Sequence, residues 1–133
     1  MSDAAALEPL TIVFDAELIR TYGGRGANVH ADETIAREWG FPGVIAWGTL
    51  TAHPFAYLME RAFGPQWLVG GSLDVRLRRA VIAGDAIEFS GRESPAADGE
   101  PRLFELQATS SQNGVVATAR ATVRRDRATS QNS

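Results

Sequence analysis

The segment from Thr51 to Phe63 constrains the fold of this chain more than any other. Ala52, Phe55, Ala56, Met59 and Phe63 recur at the three- and four-residue steps of an α-helix, and Leu58 and Ala62 widen the apolar stripe until little surface is left for water. Such a helix has to be wrapped by the rest of the chain. Pro54 fits a helix only in its first turn, where the missing N–H costs nothing, and this predicts a start near Gly48 to Thr51. Gly64 and Pro65 terminate it.

After the helix the period changes from 3.6 to 2. Leu73, Val75 and Leu77 alternate with Asp74, Arg76 and Arg78; Ile87 and Phe89 with Glu88 and Ser90; Phe104, Leu106 and Ala108 with Glu105, Gln107 and Thr109. Asn113-Gly114 predicts a type I′ hairpin, beyond which Val115, Ala117, Ala119, Ala121 and Val123 oppose Val116, Thr118, Arg120, Thr122 and Arg124. Ahead of the helix, Leu10 to Phe14 reads as a strand. Asp15 then caps a helix over Ala16 to Thr21, with Leu18, Ile19 and Tyr22 on one side. Asp32 caps another short helix, expected to bury Ile35, Ala36 and Trp39 and to end at Gly40. One buried helix, short helices before it and an antiparallel meander after it make an α+β layout in which the sheet curls round the helix. Edge strands of so short a sheet need covering, so a dimer that continues the sheet is expected.

The 133 residues make one domain, with residues 1–9 as a loose leader and 127–133 as a polar tail expected to be disordered. With 13 basic against 16 acidic residues, a net charge of −3 gives no global attraction to nucleic acid or membrane. The absence of cysteine removes disulfides, thiol nucleophiles and zinc–thiolate sites. Two histidines, neither at a useful spacing from carboxylates, give no metal signature, and no cofactor is expected. The N-terminus lacks the basic and apolar regions of a signal peptide, and no run reaches the length of a membrane span, so the default expectation is a soluble cytoplasmic protein.

The chemistry gathers between Arg25 and Leu50. His30 lies on a glycine-rich loop, and a second helix start is expected at Gly48-Thr49 after the apolar Val44-Ile45-Ala46. A ring that moves protons near neutral pH, close to backbone N–H groups that bind developing negative charge, is what reactions at an acyl carbonyl need.

The same residues carry a resemblance. His30-Ala31-Asp32, Ala36, Gly40 and the Ile-Ala-x-Gly-x-Leu of Ile45 to Leu50 resemble the signature of the MaoC-like (R)-specific enoyl-thioester hydratases and dehydratases, which have the hot-dog fold. The likeness covers roughly residues 10–125. It implies a hydro-lyase acting on a 2-enoyl or 3-hydroxyacyl thioester of coenzyme A or a carrier protein, with His30 as acid/base. It also places the thioester oxygen at the N–H groups of Gly48 and Thr49. Tyr22, Asn28 and Trp47 would contribute to the substrate site, and Arg76, Arg78 and Arg79 could hold coenzyme A phosphates where they are not a solvated face. The partner would be a second hot-dog subunit, as a homodimer or a heterodimer.

Three positions depart from the family pattern. Arg25 stands five residues before His30, where the family has Asp; Asn28 stands where it usually has Pro; Trp47 stands where it commonly has His. A guanidinium stays protonated and accepts no hydrogen bond, so Arg25 cannot replace a carboxylate. Three accounts stay open: another acceptor among Asp32, Glu33 and Tyr22; an Arg25 that binds an anionic substrate group beside a solitary His30, in a dehydration, isomerisation or cyclisation; or a subunit that shapes a pocket for a partner's catalytic pair. A related hot-dog thioesterase is a further alternative.

Overall fold

The computed structural model describes residues 6–23 and 28–125. Arg25 and the tail from residue 126 lie outside the described residues. The elements run β1 (Leu10–Phe14), α1 (Ala16–Gly23), α2 (Glu33–Glu38), α3 (Gly48–Phe63), α4 (Pro65–Gly70), β2 (Ser72–Leu77), β3 (Asp85–Ser94), β4 (Arg102–Ser110) and β5 (Gly114–Val123). The strands form one sheet in the order β1-β3-β4-β5-β2, every neighbour antiparallel.

The long helix α3 lies on one face of this sheet, against β2, β3 and β5. Phe55, Leu58 and Met59 are fully buried there, each contributing about 1.5–3 kcal/mol by leaving water. Phe55 meets Phe89 edge-on at 5.2 Å between ring centroids, and Phe63 meets Phe104 at 5.3 Å. In β3 and β4 the alternation read in the sequence is the burial observed, with Ile87, Phe89, Phe104, Leu106 and Ala108 buried; in β2 Leu73 and Val75 are only half-buried and Leu77 is exposed. Among the described residues no helix is long and apolar enough to cross a membrane.

The structure corrects several local expectations. Helix α3 begins at Gly48, so Pro54 lies in the second turn and removes one helical hydrogen bond rather than none. The apolar stripe is also narrower than its composition implies, because Ala62 and Tyr57 are exposed with Glu60 and Arg61. Helix α2 ends at Glu38, leaving Trp39 as its C-cap with 71% of its surface exposed. Helix α1 continues to Gly23, with Ile19 buried, Leu18 half-buried and Tyr22 turned to the surface. The segment read as a loose leader is docked from Ala6 onward: Leu7 is buried, and its N–H donates to Gly91 O at 2.9 Å.

The β4–β5 turn is not type I′. Three residues separate the paired Ser110 and Gly114, and Gly114 alone takes a positive φ, +74°. The Ser110 hydroxyl accepts from the N–H groups of Gln112 and Asn113 and donates to the buried Asp85 carboxylate at 2.9 Å. A bulge follows, since Ala108 pairs with Ala117 and Thr109 with Val115, leaving Val116 as the extra residue. Val116 and Ala117 are therefore both buried, which strict alternation does not allow.

Candidate active site

His30 is held by its own turn and by the segment that leads into α3. Its backbone N–H donates to Asn28 Oδ1 at 2.8 Å, and Asn28 O accepts from the N–H groups of Ala31 and Asp32, so Asn28 folds the loop into a tight turn. The Ile45 N–H donates to Val29 O at 3.0 Å and fastens that turn to the strand-like run before α3. His30 Nδ1 lies 2.8 Å from Ile45 O. A carbonyl oxygen can only accept, so Nδ1 carries the hydrogen, and in the neutral ring Nε2 keeps the lone pair. The imidazole stacks on the Trp47 indole, centroids 4.7 Å apart and planes inclined by 29°. One backbone carbonyl and one indole thus fix both the tautomer and the orientation of a half-buried histidine.

Trp47 is also the N-cap of α3, in an extended conformation and without a side-chain cap bond to the helix. The first N–H groups of a 16-residue helix, those of Gly48 and Thr49 among them, therefore lack a capping side chain beside the histidine's support. Two depressions meet this helix start. On one side Gly48 and Thr51 lie with Ala46, Leu77, Arg78 and Arg79 around about 240 Å³. On the other, Trp47, Thr49 and Tyr22 edge a mostly apolar groove of about 560 Å³, floored by Ile12, Phe14 and Leu50 and closed by His53 and Pro54. His30 lines neither depression and reaches the groove only through Trp47.

The residues expected from sequence separate accordingly. Tyr22, Trp47 and Thr49 share the groove, and Asn28 serves the histidine turn. The arginines do not act as one set: Arg76 and Arg78 share a surface depression with Arg120, Asp74 and Glu105, while Arg79 turns with Arg78 to the Gly48 side. Of the carboxylates considered as acceptors, Asp32 caps α2 by accepting from Ile35 N–H at 3.2 Å, and Glu33 pairs with Arg37 at 3.0 Å. His53, given no role above, also lines the groove. The signal for it in the sequence is the four-residue step from Thr49 to His53, which puts both on the groove side of α3. Among the described residues no group of three His, Cys, Asp or Glu could hold a metal ion.

Comparison with solved structures identifies the architecture. The ChsH1-ChsH2 complex from Mycobacterium tuberculosis contains a chain that superposes with a TM-score of 0.77 at 19% identity, over 92% of this chain and 97% of that one. The (R)-hydratase from A. caviae involved in PHA biosynthesis gives 0.74 at 16%, over 95% and 98%. The chain has the hot-dog fold. A protein described as a MaoC-like dehydratase gives 0.80 at 24%, over 95% of this chain but only 41% of its own length, so one hot-dog unit here matches part of a longer chain there. No protein-family profile and no curated protein sequence matches the chain.

Proposed function

We propose that this hot-dog domain is a hydro-lyase that adds water to a 2-enoyl thioester, or removes it from a 3-hydroxyacyl thioester, carried by coenzyme A or a carrier protein. The observation that carries the reading is His30 itself, with Nδ1–H committed to Ile45 O and Nε2 left as the base, next to an uncapped helix start. The likeness in fold to hydratases and dehydratases supports it. In hydration, Nε2 takes a proton from water as the water oxygen bonds to the β-carbon. The electron pair of the double bond moves to the thioester oxygen, and the N–H groups of Gly48 and Thr49 stabilise the resulting enolate. The imidazolium then returns a proton to the α-carbon. Arg78 and Arg79, on the Gly48 side, are the better-placed candidates for coenzyme A phosphates; Arg76 faces a different depression. Arg25 takes the role of recognising an anionic or strongly polar substrate group.

The test follows the loss of enoyl-thioester absorbance. His30→Ala should lower the rate by about a hundred- to ten-thousandfold with the fold intact, and unchanged turnover would remove His30 from the mechanism. A second reading is favoured by the engagement of Asp32 and Glu33 elsewhere: the chain is one subunit of a heterodimer whose partner supplies the missing acceptor. In that case the purified chain is inactive, and activity appears only when a second hot-dog subunit is added.

A further inference from the structure

The apolar groove and the histidine are neighbours that do not meet. Trp47 stacks on the His30 ring at 4.7 Å and lines the groove, whereas His30 is absent from the groove's lining. Trp47 is thus the residue shared between the His30 ring and a mostly apolar groove of about 560 Å³, a volume within the range of small-molecule sites. It is not locked in the core, since it is 42% exposed and its side chain makes no capping bond to α3. Thr49 connects the two ends of the problem: it belongs to the helix start and to the edge of the groove. An acyl group whose carbonyl oxygen sits at the helix start is therefore placed at the groove's edge, beside Trp47.

We infer that Trp47 is a specificity-determining partition: with its indole on His30 the site serves short acyl groups, and the groove behind it takes the apolar tail of a long acyl group only when the indole is displaced or removed. The inference rests on the hydration reading for its catalytic consequence, but not for its binding consequence. A butenoyl tail ends before the indole, whereas a dodecenoyl tail has to pass it and gains the apolar surface of Ile12, Phe14 and Leu50 once through. The stack also makes Trp47 a positioning residue for His30, because the indole supports one face of the imidazole.

The experiment compares wild type, Trp47→Phe and Trp47→Ala in two assays. Hydration of butenoyl- and dodecenoyl-coenzyme A should show the dodecenoyl-to-butenoyl ratio of kcat/KM rising at least about tenfold in Trp47→Ala, the scale on which apolar pockets discriminate tails, with Trp47→Phe between. Binding of the unreactive dodecanoyl-coenzyme A, measured by calorimetry, should tighten in the same order. The His30 ring protons should lose their ring-current displacement in Trp47→Ala and keep most of it in Trp47→Phe. Equal ratios and equal affinities across the three proteins overturn the partition. Tightened binding with no turnover in any of them overturns the hydration reading while leaving the partition standing.

Discussion

Gly48→Ala separates what the helix start does for stability from what it does for a substrate. A Cβ on Gly48 would come within 2.8 Å of Leu77 Cδ1, closer than carbon atoms tolerate. The obstructing atom is the free end of a flexible side chain that is 52% exposed, so it can swing outward and lose at most about 1 kcal/mol of its partial burial. Alanine meanwhile favours the helix over glycine by about 0.5–1 kcal/mol. The two effects oppose and nearly cancel. The melting temperature, followed by circular dichroism, should therefore move by no more than about 5 °C. On the proposed reaction activity should not be spared, since a thioester carbonyl that approached the N–H groups of Gly48 and Thr49 would meet the added methyl group, and kcat/KM for enoyl-thioester hydration should fall about ten- to a hundredfold. Adding Leu77→Ala should relieve any residual strain without restoring the rate. A melting temperature lowered by far more than 5 °C would refute the argument about Leu77, and full activity in a folded Gly48→Ala protein would refute the placement of the carbonyl.

Two further substitutions test packing away from the site. Gly71 has an ordinary backbone conformation (φ −84°, ψ 156°), but a Cβ there would come within 2.1 Å of the buried Trp67 ring, so Gly71→Ala should cost about 1–3 kcal/mol in a denaturant titration, and no measurable loss would show that the indole moves freely. Arg102 donates twice to Glu93, at 2.8 and 2.9 Å, and lies 5.1 and 5.4 Å from the Phe63 and Phe104 rings; the hydrogen bonding to Glu93 raises its pKa against the lowering effect of burial. Arg102→Ala should cost about 2–4 kcal/mol and Arg102→Lys roughly half of that, because an ammonium keeps the charge but not the planar fork; equal stability of Lys and Ala variants would mean that geometry contributes little.

The parts of the fold legible in the sequence are those set by periodicity. The helix from Thr51 to Phe63 and the inward sets of β3 and β4 follow from spacing, because burying one face dictates both which residues are apolar and where they recur. Local decisions made by tertiary contacts were not legible. Trp39 continues the apolar step of α2, yet the helix stops one residue short of it and the ring is exposed, whereas Ala36 is fully buried. Pro54 lies in the second turn because the helix starts at Gly48, the early end of the expected range, which places six helical residues ahead of the proline. The short helix α4 was hidden by Gly64-Pro65, read as a terminator although proline also suits a first helical turn. In the site, His30 and the helix start were visible as residue types at a spacing. The stack of His30 on Trp47 and the division of Arg76, Arg78 and Arg79 between two depressions depend on how separate segments meet, which no local pattern encodes.

The bulge at Val116 has a consequence for how chains of this kind should be aligned. The N–H groups of Arg78 and Arg79 both donate to Val116 O, at 2.8 and 3.1 Å, so the surplus residue of β5 anchors the bend by which the chain leaves β2 and passes the start of α3. Removing Val116 alone would leave Thr109 opposite Val115 and Ala108 opposite Ala117, a regular ladder with every other pairing intact. A one-residue gap at this point is thus invisible to the sheet but not to the bend. A chain that carries the gap should keep the same strands while presenting residues 78 and 79 differently beside the start of α3, so a single deletion in the last hairpin reshapes a surface remote from it in sequence.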